Sequence, residues 1–207
     1  MTTAVEVRMR IFSLDSPRTI WGDWSDALEY GFVDWDEETD TRSIVRSGPY
    51  TPPAYLYWDA LIFTQFIKNA LEKSELTGIS AFTHLKKTHI VNLDWKAWDT
   101  TRDITYHTEL DGEPEDLITS LPHDESLAQH MPEYWLASIE PVLSVYVDRS
   151  HSSTDPSDFL TILHADPTID FFQGDEYTGH FVSQRAKEWL AHHCPGCFTF
   201  SLIPFAD

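Results

Sequence analysis

Residues 181–203 read FVSQRAKEWLAHHCPGCFTFSLI, and the fold turns on them. Ser183 is a candidate helix N-cap, because its hydroxyl can accept from an N–H that a helix start leaves without a partner. Val182, Ala186, Trp189 and Leu190 fall on one stripe at spacings of three and four, which predicts a helix over Gln184–His193. Pro195-Gly196 breaks it. FTFSLIPF, residues 198–205, then reads as a C-terminal strand. Helix, stop and returning strand make one unit, and its apolar stripe needs a second layer to cover it.

Shifting the chain by 118 residues lays 63–85, FTQFIKNALEKSELTGISAFTHL, over that stretch without a gap. Phe63 meets Phe181, Leu71 meets Trp189, Gly78 meets Gly196 and Phe82 meets Phe200. Identities are few, and the shared content is the order helix, glycine, strand. Two copies predict an α+β protein with a mixed or antiparallel sheet and few helices. It is read as one domain, 1–207, with two pseudo-symmetric helix–strand lobes at 1–110 and 111–207.

Outward from these segments, alternation of Val5, Val7, Met9 and Ile11 with charged residues predicts a strand. Ser16 to Gly48 reads as irregular, with a short strand at Ser43–Arg46. Asp59 is expected to cap a helix to about Lys73, with Phe63, Phe66, Ile67, Ala70 and Leu71 as its stripe and Thr77-Gly78 as its stop. Strands are expected at Ile79–Leu85, His89–Trp95, Pro141–Val147 and Phe159–Leu163, and a helix interrupted by Pro132 at Leu127–Ala137.

Charge then narrows the function. Lys plus Arg total 14 and Asp plus Glu 34, a net charge of −20, in a chain of 207 residues. That argues against nucleic-acid binding, which needs a positive face for phosphates, and against docking on anionic lipid. It favours a basic partner or plain solubility. A 14% aromatic content argues against disorder. Two cysteines cannot staple a secreted framework. The start MTTAVEVRMRIF has no apolar signal core and no long apolar run follows, so a cytoplasmic location is expected.

Two acidic runs are the candidate partner-binding residues: Asp34, Asp36, Glu37, Glu38 and Asp40 around Trp35, and Glu109, Asp111, Glu113, Glu115 and Asp116. The first alternates like a calcium loop but has Thr39 where the central Gly belongs and Val45 where the last Glu belongs. Trp flanked by carboxylates suits an anchor against Arg and Lys. Trp58, Trp95, Trp98, Trp135 and Trp189 stand beside expected elements and read as core.

Cys194-Pro195-Gly196-Cys197 has the spacing of half a zinc site, with His192 or His193 beside it. It stands at a helix C-terminus, where the dipole opposes a thiolate. The 118-residue overlay sets the cysteines on Leu76 and Ile79, which points to buried structural thiols. No His-Glu-x-x-His, Gly-x-Ser-x-Gly or phosphate loop occurs. The reading is therefore a non-catalytic binding protein with no metal and no cofactor. A small zinc module on Cys194 and Cys197, or a hydrolase using a His–carboxylate pair, is the alternative.

One phrase adds a resemblance. Asp170-Phe171-Phe172, Tyr177, Phe181-Val182-Ser183-Gln184-Arg185, Trp189-Leu190, Gly196, Phe198-Thr199-Phe200 and Ile203-Pro204 resemble the C-terminal segment of bacterial polymorphic-toxin immunity proteins, including the double-CxxCG-motif family. That family has two Cys-x-x-Cys-Gly knuckles. This chain has one Cys-x-x-Cys followed by Phe198, so neither the zinc site nor any functional residue carries over. The resemblance implies a role, binding and silencing a cognate toxin in the producing cell, and the negative charge fits a basic toxin.

Overall fold

The computed structural model describes residues 9–17, 32–39, 41–47, 52–57, 59–92, 120–150 and 152–206. The protein is α+β: the described residues form twelve strands, in two curled mixed sheets, and three α-helices. The chain forms two compact units that interleave along the sequence. The first draws on Met1–Ser16, Leu71–Ala81 and Ser138–Asp207, the second on Pro17–Ala70 and Phe82–Ala137.

The strands are β1 (Ile11–Asp15), β2 (Phe32–Asp36), β3 (Thr41–Ser47), β4 (Ala54–Tyr57), β5 (Ala60–Thr64), β6 (Ile79–Val91), β7 (Tyr134–Ile139), β8 (Val142–Val147), β9 (Leu160–His164), β10 (Phe171–Gly174), β11 (His180–Ser183) and β12 (Thr199–Ile203). The helices are α1 (Gln65–Glu72), α2 (Glu125–His130) and α3 (Gln184–His193).

One sheet has the order β12-β1-β11-β10-β8-β9. Its pairs are antiparallel except β10 with β8. It curls until its ends meet: the Ile162 N–H donates to Pro204 O, and Ala206 N–H donates to Ile162 O, at 2.8 and 2.9 Å. Paired residues share a face. Ile11 with Ile203, Phe172 with Phe181 and Val145 with Ile162 therefore line one interior, which Leu143 and Leu160 fill. Each such side chain contributes roughly 1.5–3 kcal/mol by leaving water. On the opposite face Phe12 pairs with Val182 and Leu14 with His180, and α3 packs over β11 and β1. Ile11-Phe12-Ser13-Leu14 is thus buried on both sides, which is why it is a continuous apolar run and not an alternating one.

The other sheet has the order β2-β3-β6-β7-β5-β4. β2–β3 and β4–β5 are antiparallel hairpins, β5 pairs antiparallel with β7, and β3 lies parallel to β6. Ile44, Tyr55, Ile62, Leu85, Ile90 and Tyr134 form its core, closed by Ala128 and Met131 from α2 and the residue that caps it.

The 118-residue overlay has a counterpart in topology. β5, α1, Gly78 and β6 match β11, α3, Gly196 and β12 in order. In each sheet one strand separates the two flanking strands: β7 between β5 and β6, β1 between β11 and β12. In each, the strand before the helix pairs antiparallel with its predecessor, β4 or β10. Both glycines have positive φ, +106° and +77°.

Several boundaries differ from expectation. The first described strand is Ile11–Asp15, and Val5 and Val7 lie outside the described residues. Asp59 caps no helix: Ala60–Thr64 is a fully buried strand, and α1 starts at Gln65. Phe66 is exposed while Ile67 and Leu71 are buried, so the helical stripe excludes it. Ile79–Val91 is a single strand. Pro132 separates α2 from strand β7 instead of interrupting a helix. Strands also form at β4, β10 and β11, where the sequence pattern predicts none. By contrast α3 spans Gln184–His193 as expected, with Ser183 Oγ accepting from the Ala186 N–H at 3.1 Å.

Candidate functional site

The first acidic run is a hairpin, not an irregular loop. β2 and β3 pair Trp35 with Arg42 and Asp36 with Thr41. Asp36 makes the turn: its Oδ1 accepts the N–H of Glu38 at 3.0 Å and of Thr39 at 3.3 Å. This side-chain-to-backbone turn is the chemistry by which Asp competes with regular structure. The Thr39 hydroxyl, opposed by burial and joined by those N–H groups, holds the Asp36 carboxyl below its ordinary value of 3.8. It is ionised at neutral pH.

Glu37 and Glu38 are exposed beside it, and Trp35 is 52% exposed. The Arg42 guanidinium lies 6.0 Å from the Trp35 ring centre. It also makes a two-pronged contact with Asp59, Nη1 to Oδ1 and Nη2 to Oδ2, both at 3.0 Å. Arg42 thus fixes the indole from one side while the indole keeps half its surface open. Asp34 is in β2, and its side chain, Asp40 and the whole second run (Glu109, Asp111, Glu113, Glu115 and Asp116) lie outside the described residues.

In the first unit, Asp170 organises the phrase that carries the resemblance. Its Oδ1 accepts from Ser183 Oγ at 2.6 Å and Arg185 Nε at 3.1 Å. Its Oδ2 accepts from the Thr77 N–H at 2.9 Å, the Thr77 hydroxyl at 3.2 Å and Arg185 Nη2. Burial pushes this carboxyl up, but the Arg185, Ser183 and Thr77 donors outweigh burial and hold it below 3.8. A carboxylate with every lone pair engaged is a strut and not a proton acceptor. A cavity of about 520 Å³ adjoins it, walled by Met9, Arg10, Thr168, Gln184 and Arg185. Sequence reasoning missed Asp170. The available signal was an acid inside the apolar run Ile169-Asp170-Phe171-Phe172 with Ser183 and Arg185 two apart downstream.

Two His–carboxylate pairs form in the second unit. His84 Nε2 lies 2.5 Å from Glu133 Oε2, while Glu133 Oε1 accepts from Lys87 Nζ at 2.6 Å. The Lys87 ammonium is the main reason the Glu133 carboxyl sits below its ordinary value of 4.5. Glu133 divides its oxygens between two partners on an open surface, with 44% of its side chain exposed. His123 meets Glu125 at 3.1 Å.

Cys194 and Cys197 are buried and form no disulfide. Burial, with some help from Cys197, pushes the Cys194 thiol up to about 12. The neighbouring His193 stacks on Trp189 at 3.9 Å and bonds to the Trp189 carbonyl at 2.9 Å. Among the described residues no group of three or more His, Cys, Asp or Glu gathers to hold an ion. Trp135 and Trp189 are only partly buried, and among the described residues the largest fully buried side chains are Tyr and Phe; Trp58, Trp95 and Trp98 lie outside the described residues. Among the described residues no helix is long and apolar enough to cross a membrane.

Compared with protein-family models, with curated proteins and with solved structures, the chain finds no match.

Proposed function

We propose that this chain is a non-catalytic binding protein that neutralises a basic protein partner by covering it, as an immunity protein covers its cognate toxin in the cytoplasm of the producing cell. The observation that carries the reading is the β2–β3 hairpin: a half-exposed Trp35 beside ionised Asp36 and exposed Glu37 and Glu38. A net charge of −20 supports it, because opposite charge steers encounter. The carboxylates set the rate of approach, and burial of the indole against an apolar spot ringed by Arg or Lys slows departure. The phrase over residues 170–204 supplies the class of partner. No bond is made or broken, and neither metal, cofactor, nucleic acid nor membrane enters.

The test is co-expression with the product of the neighbouring gene. If that product is a basic toxin, the chain is expected to restore growth and to co-purify with it in a fixed ratio. Growth arrest with no complex overturns the reading.

A further inference from the structure

Residues 123 and 124 fasten the start of α2 to the end of β6. The Ile90 N–H donates to His123 Nδ1 at 2.8 Å, and the Asp124 N–H donates to Ile90 O at 2.7 Å. Ile90 is fully buried. A ring nitrogen accepts only when it carries no proton, so Nδ1 must be bare and the proton must sit on Nε2. Glu125 also calls for a proton on Nε2, since its Oε2 lies 3.1 Å from His123 Nε2. Both contacts therefore put a proton on Nε2, and the Ile90 contact alone keeps Nδ1 bare and the ring neutral.

We propose that His123 is an acid-sensitive latch. Protonation puts an N–H on both ring nitrogens, and Nδ1–H then faces the Ile90 N–H, donor against donor. The charged neighbours pull in different directions. Glu125 favours the cation but has 71% of its side chain exposed, so water screens it. The Lys87 ammonium, close enough to act on Glu125, opposes more positive charge, as does the His89 ring, 6.2 Å away on β6, whenever it is itself charged. Asp124 has its Oδ1 committed to the Leu127 N–H at 2.9 Å. The buried Ile90 N–H cannot turn to water for a substitute, so the latch opens.

Opening it loosens two things in the same unit. Asp124 caps α2, which delivers Ala128 to the core that holds Ile90 and Leu85. Ile90 and Val91 pair with Arg46 and Ser47 of β3, the strand that forms one arm of the Trp35 hairpin. Acid thus weakens the support of the hairpin by a route other than its own carboxylates. The inference does not rest on the binding reading, and its test needs no partner.

The experiment compares wild type with His123→Asn and His123→Ala. The Asn carbonyl oxygen can accept the Ile90 N–H and does not titrate. Histidine changes charge between about pH 8 and about pH 5. Over that range Ile90 amide protection, corrected for intrinsic exchange, is expected to fall about fivefold or more in wild type and to stay within about twofold in H123N. H123A is expected to lose protection at both ends. Long-range ¹H–¹⁵N spectra of the wild-type ring are expected to show the Nε2–H tautomer near neutral pH, a readout independent of any variant's folding. An equal pH response in wild type and H123N, or an Nδ1–H tautomer, overturns the latch.

Discussion

Asp170 is the residue on which the first unit is pinned, and its environment makes a sharp forecast. Asp170→Asn keeps the shape but sets an amide N–H₂ against the Ser183, Thr77 and Arg185 donors. The expected cost is about 2 kcal/mol, read as a lower urea midpoint, because the Thr77 and Ser183 donors lose a charged acceptor, while the exposed Arg185 guanidinium can turn to water. The sign of the pH effect follows from the lowered carboxyl. Its stabilisation is complete above the ordinary value of 3.8 and is lost as pH falls through the lower folded value, so acid unfolding should flatten in D170N. At the same scale, the two buried thiols should resist iodoacetamide near pH 8 and react once denaturant is added, since Cys194 titrates only at about 12. A fast-reacting native thiol would contradict that. Ser183 was legible because a cap lies one residue from the helix it starts. Asp170 was not, because its donors come from Thr77, Ser183 and Arg185, and spacing in sequence does not show three segments meeting.

Helix α3 could be read from its own sequence, since cap, stripe and glycine stop all lie within it. The segment before α1 could not. Leu61-Ile62-Phe63 is buried on both faces, and a short apolar run without alternation fits helix and strand alike. The β2–β3 hairpin was hidden for the opposite reason: its Asp-Trp-Asp-Glu-Glu reads as solvated loop, and only the Asx turn at Asp36 shows why it folds back. The paired glycines give the test at this scale. A Cβ on Gly78 would lie 2.3 Å from the Phe171 carbonyl oxygen, whereas one on Gly196 meets nothing within 4 Å. Gly196→Ala should therefore cost only the left-handed backbone, about 1–2 kcal/mol. Gly78→Ala should cost clearly more, because backbone must move as well. Equal thermal midpoints for the two variants would mean that the returning strand does not need the close approach at Gly78.

For the molecule as a whole, the class was legible because patterns of burial are local and the 118-residue overlay repeats a unit. The interleaving of the two units was not, because the strand that β12 needs beside it comes from Ile11–Asp15 and the one that β6 needs comes from Tyr134–Ile139. Long-range partners of that kind leave no mark on either segment alone. Charge acts at this scale too. A chain at −20 repels its own copies and is drawn to cations over distances set by the ionic strength. The central claim is that the Trp35 hairpin meets a basic partner, and association kinetics test it most directly. With the partner that co-purifies, wild type is compared with a variant carrying Asp34→Asn, Asp36→Asn, Glu37→Gln, Glu38→Gln and Asp40→Asn, in which the Asn at 36 retains a turn acceptor. The account predicts an association rate about tenfold lower at low salt, a difference that shrinks to within about twofold near 0.5 M salt, and little change in dissociation. Identical association rates at every salt concentration would contradict it.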